Sequence, residues 1–317
     1  MSVFIVAEMS CNHMGDFDKA IQLIDASADA GADAVKISLD NPDGGITINY
    51  DSEDFCIESG PWQGQTLYEL YYKTHTPWEW TTKLQKHAEK RGIELFATVS
   101  CIDGIKLCEH VGMPRYKVSS YEACDIPLIR EIMKTGKPVI VSCGMDWHDA
   151  WDELQGYDAS FLYCVSKYPA HVEDFDLNVC AEFDGISDHT EQAIDEEMVF
   201  SAVARGAKIV ERHIMLPDTD PPDAEFSECQ WGFSYMVDQI RNIERAMMPK
   251  QFVAPDRQFC KSLYAVDDIA KGKQFTSNNV RAIRPGNGLH PREYFRVVGA
   301  VAKCDIKRGT AIVEAML

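Results

Sequence analysis

Positive charge is what this 317-residue chain is short of: 31 Lys and Arg stand against 50 Asp and Glu, a formal net charge of −19. A phosphate backbone needs a basic footprint, so the deficit argues against nucleic acid as a partner, and equally against an anionic membrane surface. Any phosphate-bearing ligand must then sit in a local cationic pocket set against the global field. Long apolar runs are missing too. No stretch of about 18 hydrophobic residues occurs, so nothing is expected to span a bilayer. The opening Met-Ser-Val-Phe-Ile-Val-Ala-Glu lacks the basic flank of an export signal and reads as a first strand. No Cys-x-x-Cys pair is present and the eleven cysteines are odd in number. They are expected to be reduced, small apolar residues of a cytoplasmic protein.

What is present is alternation. Short apolar runs, each followed by a helical pattern, recur through the first 246 residues: Phe4–Met9, Ala34–Ser38, Ile93–Thr98, Tyr116–Ser119, Pro138–Ser142, Ser160–Val165, Phe183–Ser187 and Ala207–His213. Eight strands alternating with helices imply right-handed parallel crossovers and fit a (β/α)8 barrel, with an open doubly wound sheet as the alternative. Gly31, Gly92, Gly136 and Gly206 punctuate the helix ends. One helix is expected over Asp195–Arg205 and the last over about Ser227–Ala246. Residues 247–259 read as a linker. Residues 260–317 form a small β-rich domain, in which Asp268-Ile-Ala-Lys-Gly272 and Asp305-Ile-Lys-Arg-Gly309 are two similar aspartate-led turns.

The chemistry is expected at the C-terminal ends of the barrel strands. His189 and His213 each close a strand-like run on neighbouring strands, with Asp188 and Glu211 beside them, a set that a first-row metal ion could use. Lys36 and Lys117 mark two further strand ends and suit a phosphate or carboxylate in an otherwise acidic protein. Thr98, Ser119, Ser120, Ser142, Ser166 and Ser187 place hydroxyls at the same level, donors that add no charge. Glu8 and Glu122 are candidates for acid–base work or sugar contacts. Tyr168 and Asp223 read first as loop-shaping residues. Arg284-Pro-Gly-Asn-Gly288 is a rigid turn presenting one arginine, and His75, His87, His110 and His148 carry no site signal.

Assembled in order, these stretches resemble the sialic acid (N-acetylneuraminate) synthase family, the phosphoenolpyruvate-dependent nonulosonate synthases, almost end to end. The matching runs are Ala7-Glu-Met-Ser-Cys-Asn-His-Met-Gly15, Ala34-Val-Lys36, Tyr116-Lys-Val-Ser-Ser120 and Lys137-Pro-Val-Ile-Val-Ser-Cys-Gly-Met145. Further on come Cys164-Val-Ser-Lys-Tyr-Pro169, Gly185-Ile-Ser-Asp-His-Thr190, Gly206-Ala-Lys-Ile-Val-Glu-Arg-His213, Lys261-Ser-Leu-Tyr264 and Arg284-Pro-Gly-Asn-Gly288. The resemblance implies a TIM barrel followed by an antifreeze-like (SAF) domain. It implies condensation of phosphoenolpyruvate with an N-acyl amino sugar such as N-acetylmannosamine, with release of phosphate. His189 and His213 would hold a divalent metal, usually Mn2+, and act in catalysis with Glu8 and Glu122. Lys36, Thr98, Lys117, Ser120, Ser142, Ser166 and Ser187 match positions that grip phosphoenolpyruvate. Glu8, Glu122, Tyr168 and Asp223 match positions on the sugar side. Arg284 matches the arginine that the second domain inserts into a partner's barrel, implying a domain-swapped homodimer.

The chain departs from the family's pattern on the sugar side. It has Lys36-Ile37-Ser38 where an amide usually follows at the third position, Ala97-Thr98-Val99-Ser100 for Ser-Thr-Pro-Phe, His213-Ile214-Met215 for His-Phe-Thr, and Pro221-Pro222-Asp223 for Gly-Pro-Asp. The reaction type is therefore better marked than the acceptor, which legionaminate- or pseudaminate-type synthases would vary. Two other readings share the histidines: a metal-dependent barrel aldolase or isomerase acting on sugars, and a non-catalytic sugar-binding relative.

Overall fold

The computed structural model describes every residue except 1, 44, 59, 61, 192–195, 250–252, 254 and 255. The chain divides into two compact units, Met1–Met248 and Pro249–Leu317. In the first, eight strands run parallel in sequence order: β1 (Phe4–Glu8), β2 (Ala34–Leu39), β3 (Glu94–Val99), β4 (Tyr116–Val118), β5 (Val139–Cys143), β6 (Ala159–Cys164), β7 (Gly185–Asp188) and β8 (Ile209–Met215). Strand β1 pairs with both β2 and β8, which closes the sheet and excludes the open alternative. The fold is a (β/α)8 barrel.

Parity along each strand builds the site. Phe4, Val6, Ala34, Phe96, Ile140, Leu162 and Ile209 point inward and pack into an apolar plug. Two residues further along, the same face turns polar: Val6 gives way to Glu8, Ala34 to Lys36, Phe96 to Thr98, Ile140 to Ser142 and Ile209 to Glu211. Side chains of opposite parity, among them Ile5, Val35, Ile37, Leu95, Val118, Val141, Ile186 and Val210, meet the helices in the main core. Strands buried on both faces read as continuous apolar runs, which is why they were legible.

The helices follow local rules. Asp16 caps Phe17–Asp29, its side chain accepting from the amides of Asp18 and Lys19, and the helix buries Ala20, Leu23 and Ile24. Thr81–Arg91 ends at Gly92, whose φ of 71° only glycine adopts without strain. The last barrel helix corrects the sequence reading. It spans Gln230–Met247, because Ser227–Cys229 forms a ninth short strand, β9, paired in parallel with β8. Asn12 Nδ2 donates to Ile214 O and Ser227 Oγ, while Ser227 Oγ donates to Asp223 O, and these bonds hold the segment extended. Of the helix expected over Asp195–Arg205, Glu197–Ala204 is observed; its expected start at Asp195 lies outside the described residues. So do residues 250–252, 254 and 255 of the expected linker.

In the second unit β10 (Ser262–Ala265) pairs antiparallel with β11 (Val280–Ile283) over a core that includes Leu263, Phe275, Val297 and Ile306. The two similar turns lock each other. Ile269 and Ile306 exchange backbone bonds of 2.8 Å, Asp268 Oδ1 accepts from Arg308 N, and Asp305 Oδ1 accepts from Lys271 N. Among the described residues no helix is long and apolar enough to cross a membrane. All eleven cysteines are free.

Candidate active site

The polar ring above the plug opens into a cleft of about 820 Å³ at the C-terminal ends of the strands. Registry fixes its floor. Glu8 pairs along the sheet with Lys36 on one side and His213 on the other, Ser38 with Thr98, Thr98 with Lys117, and Ser187 with Glu211. Lys36 Nζ lies 2.5 Å from Glu8 Oε2 and 3.5 Å from Glu211 Oε1, and donates to Thr98 Oγ1 at 2.9 Å. Lys117 Nζ donates to Ser142 Oγ at 2.7 Å and lies 3.6 Å from Glu211 Oε1. Ser187 Oγ also donates to Glu211, and Ser120 and Ser166 share a hydroxyl–hydroxyl bond of 2.7 Å. Burial alone would raise the Glu211 carboxyl, but Lys117, Lys36 and the Ser187 bond outweigh it and hold it at about 2. Burial and Lys36 together lower the Lys117 ammonium below its ordinary range, while Glu211 and Glu8 outweigh burial and raise Lys36. The floor is thus a balanced set of two cations and two carboxylates fringed by hydroxyls, with every member but Ser166 almost fully buried.

The two imidazoles stand beside this floor with ring centroids 5.3 Å apart. His189 follows β7 directly, whereas His213 lies inside β8, two residues before its end. His189 Nδ1 faces Cys164 Sγ at 3.7 Å, and burial followed by the neighbouring His213 pushes its pKa well below the ordinary value. His213 Nδ1 lies 3.4 Å from Asp223 Oδ2. Burial opposes ionisation of Asp223, but His213 and the Ser10 and Cys11 side chains lower its pKa nonetheless. Each ring therefore has Nδ1 turned toward a protein group, and among the described residues neither Nε2 makes a hydrogen bond, the arrangement found where an outer group orients a ligating imidazole. Tyr168 packs 4.6 Å from the His189 ring and Phe226 5.0 Å from that of His213. Glu122, a bond partner of Ser119, lies further out, where burial raises its carboxyl.

Of the residues singled out from sequence, all those of the barrel except Asp188 line this one cleft. Arg284 belongs to the second unit, where its Nε donates to Phe259 O. One expectation is corrected. Asp188 does not join the histidines: opposite in parity to Ser187, it faces away from the cleft and pairs with Arg212 at 3.2 Å and with Thr190. Glu211 does face the cleft but is engaged by the two lysines. Sequence reading missed Asp40, Trp62 and Tyr71, which also line the cleft, and the fully buried Arg212. Arg212 could have been found as a charge two residues into the outward parity of an otherwise apolar strand. Asp40 falls two residues after Ser38 on the same face.

Fold and site together define a barrel enzyme whose strand ends bring two buried lysines, two carboxylates, a set of hydroxyls and a pair of imidazoles into one cleft. Residues 23–251 match the NeuB family and residues 261–317 the SAF domain. The chain belongs to the NeuB family. It is 37% identical to the pseudaminic acid synthase of Campylobacter jejuni serotype O:2, over 98% of this chain and 95% of that one. To the pseudaminic acid synthase of Helicobacter pylori it is 32% identical, over 97% and 96%. Among solved structures, the spore coat polysaccharide biosynthesis protein SpsE of Bacillus subtilis is similar over 99% of this chain and 95% of that one, with a TM-score of 0.62 and 28% identity.

Proposed function

We propose that this protein is a nonulosonate synthase that joins phosphoenolpyruvate to an N-acyl amino sugar and releases phosphate, with pseudaminic acid-type synthesis the form its relatives favour. The observation that carries the reading is the ring of Lys36, Lys117 and hydroxyls on a dry plug, next to His189 and His213 in one cleft. A three-carbon donor bearing both phosphate and carboxylate needs two cations and several neutral donors, which the floor supplies. Lys36 and Lys117 hold its anionic groups, and the hydroxyls of Thr98, Ser120, Ser142, Ser166 and Ser187 fix its orientation. Glu8 and Glu122 flank the reacting atoms as acid–base candidates, and Tyr168 and Asp223 face the sugar.

The donor set fits a divalent cation. Two Nε2 atoms are available, and burial keeps His189 neutral, as a ligand must be. Among the described residues no three His, Cys, Asp or Glu side chains converge on a point, so His189 and His213 would be the protein ligands and oxygens of substrate and water would complete the shell. When bound, such an ion, Mn2+ by the family resemblance, supplies Lewis acidity at the sugar aldehyde. The free thiols suit a cytoplasmic enzyme.

The test uses the full chain with Mn2+, phosphoenolpyruvate and three acceptors: N-acetylmannosamine, its 6-phosphate and a di-N-acetylated 6-deoxyhexose. Phosphate release that depends on both acceptor and metal is expected, and its absence with every acceptor would overturn the reading.

The second unit also belongs to this proposal. Residues 260–317 carry ten Lys and Arg against five Asp and Glu, in a chain that is strongly acidic elsewhere. Opposite charge favours docking of one copy's second unit on another copy's barrel, bringing Arg284 to the sugar as a homodimer. Arg284→Ala is expected to raise the acceptor KM about tenfold while Mn2+ affinity stays unchanged. Unaltered sugar kinetics, or a monomer at low salt in sedimentation, would remove this part.

A further inference from the structure

Strand β2 alternates cleanly. Ile37 and Leu39 enter the main core, while Lys36 and Ser38, and then Asp40 just beyond the strand end, line the cleft. Three side chains of one parity thus rise in file from floor to rim: an ammonium, a short hydroxyl and a carboxylate. At the rim Asp40 is half-buried, and it shares its surroundings with Glu122 from the loop after β4 and Tyr71 from the helix Leu67–Thr74. Burial, followed by the facing Glu122 carboxylate, pushes the Asp40 carboxyl up to about 7, against the opposing pull of Lys36 and the Ser100 hydroxyl. Aromatic rings complete this end. Trp62 and Tyr121 lie 5.9 and 6.4 Å from Tyr168 by ring centroid, and Trp62 Nε1 is a buried donor that has no partner among the described residues.

The charges in the cleft are therefore sorted by depth. Among the described lining residues the cations are Lys36 and Lys117 in the floor and Lys167, which is paired with Asp174. Among the described residues the cations that act on this pair come from the floor, Lys36 on Asp40 and Lys117 on Glu122. Once ionised, above about pH 7, Asp40 only accepts hydrogen bonds, so there the rim suits a ligand that offers hydroxyl and amide N–H groups and presents C–H faces or methyl groups to the aromatic rings. A phosphate brought there would meet two acidic groups with no counter-charge of its own.

Building on the synthase reading, we propose that Asp40 selects the acceptor: with Glu122 it forms a carboxylate pair at the rim that accepts hydrogen bonds from an uncharged N-acyl amino sugar and rejects a sugar phosphate. Asp40 is a specificity residue of the acceptor and has no part in holding the donor. Asparagine in its place keeps shape but replaces one acceptor oxygen with a donor, and a lost hydrogen bond to a charged group costs about tenfold or more in affinity.

The deciding measurement is calorimetric binding of the same three sugars to the full chain with Mn2+ and phosphoenolpyruvate, in wild type, Asp40→Asn and Asp40→Lys. Wild type is expected to bind an uncharged sugar and to discriminate against N-acetylmannosamine 6-phosphate. Asp40→Asn is expected to weaken the uncharged sugar about tenfold with the phosphoenolpyruvate KM within about twofold of wild type, and Asp40→Lys to narrow the discrimination against the 6-phosphate. Uncharged-sugar affinity unchanged in Asp40→Asn, or wild type preferring the 6-phosphate, would overturn the assignment. Sugar binding that depends on Asp40 without any phosphate release would overturn the synthase reading and leave the Asp40 assignment standing. Wild type binding none of the three sugars would overturn both.

Discussion

His213→Ala is expected to abolish metal retention and to lower turnover by about a hundredfold or more, while the barrel still melts cooperatively near the wild-type temperature. The magnitude follows from position. Removing a group that merely orients a metal-binding imidazole costs about 10- to 100-fold, so removing the imidazole itself costs at least the upper end. The fold survives because His213 belongs to the ring above the plug; its backbone still pairs with Glu8 and Ser227, and no apolar layer is disturbed. Asp223, 3.4 Å from His213 Nδ1, supplies the graded control. Asp223→Asn is expected to weaken Mn2+ binding within the 10- to 100-fold range and no further. Titration of Mn2+ by electron paramagnetic resonance reads both variants without any turnover, and a His213→Ala protein that binds Mn2+ as wild type does would show that the ion sits elsewhere or is not needed.

Arg212→Met is expected to be the most destabilising single change in the barrel, by about 3–5 kcal/mol, or on the order of 10 °C in Tm for a unit of this size. Arg212 is fully buried on the outer side of β8, within 3.2 Å of Asp188, 3.3 Å of Glu196 and 3.4 Å of Glu228. Methionine fills similar space but leaves three carboxylates facing one another without their cation. The loss also reaches the site, because Arg212 Nη1 donates to the carbonyl of Thr190 at 2.9 Å and approaches that of Asp188 at 3.4 Å, the two residues flanking His189.

Acidity should relieve the Arg212→Met defect. Burial, with Asp188 and Glu228, already pushes the Glu196 carboxyl up to about 8 against the opposing pull of Arg212. A carboxyl whose pKa is raised on folding binds more protons in the folded state, so its contribution is present at low pH and lost as pH rises through the folded value. Removing Arg212 raises it further, so the variant keeps the Glu196 proton where wild type has lost it, and the deficit relative to wild type is expected to widen as pH rises through about 8, between pH 7 and pH 9. Thermal melts across that range measure it. A variant within about 2 °C of wild type at pH 8 would show that the cluster holds little of the barrel's stability.

How much was legible in the sequence depends on what each residue needed in order to be placed. The eight strands were readable because buried parallel strands are apolar on both faces, and their ends shifted by only a residue or two. Lys36, Thr98, Lys117 and Ser142 were readable as a site because each breaks an apolar run where the barrel mouth must be. Ser227–Cys229 was not, since three polar or small residues before a helical pattern look like its first turn until Asn12, more than two hundred residues away, pins them to β8. Asp188 was misassigned because adjacency to His189 counted for more than parity: one step along a strand reverses the face. Asp40 escaped because it lies past the strand end, where alternation has no formal claim. Arg284 acts, on this proposal, in a second copy, which the family resemblance implied but the residue pattern around Arg284 alone did not.

The plug of Phe4, Val6, Phe96, Ile140 and Leu162 has a consequence for traffic. A barrel sealed at one end is a well with a single mouth, and whatever lies deepest must arrive before the entrance is occupied. On the proposed function, with the lysines on the floor and Asp40 at the rim, the smaller anion would queue ahead of the sugar, and the phosphate left behind would wait for the longer product to clear the way out.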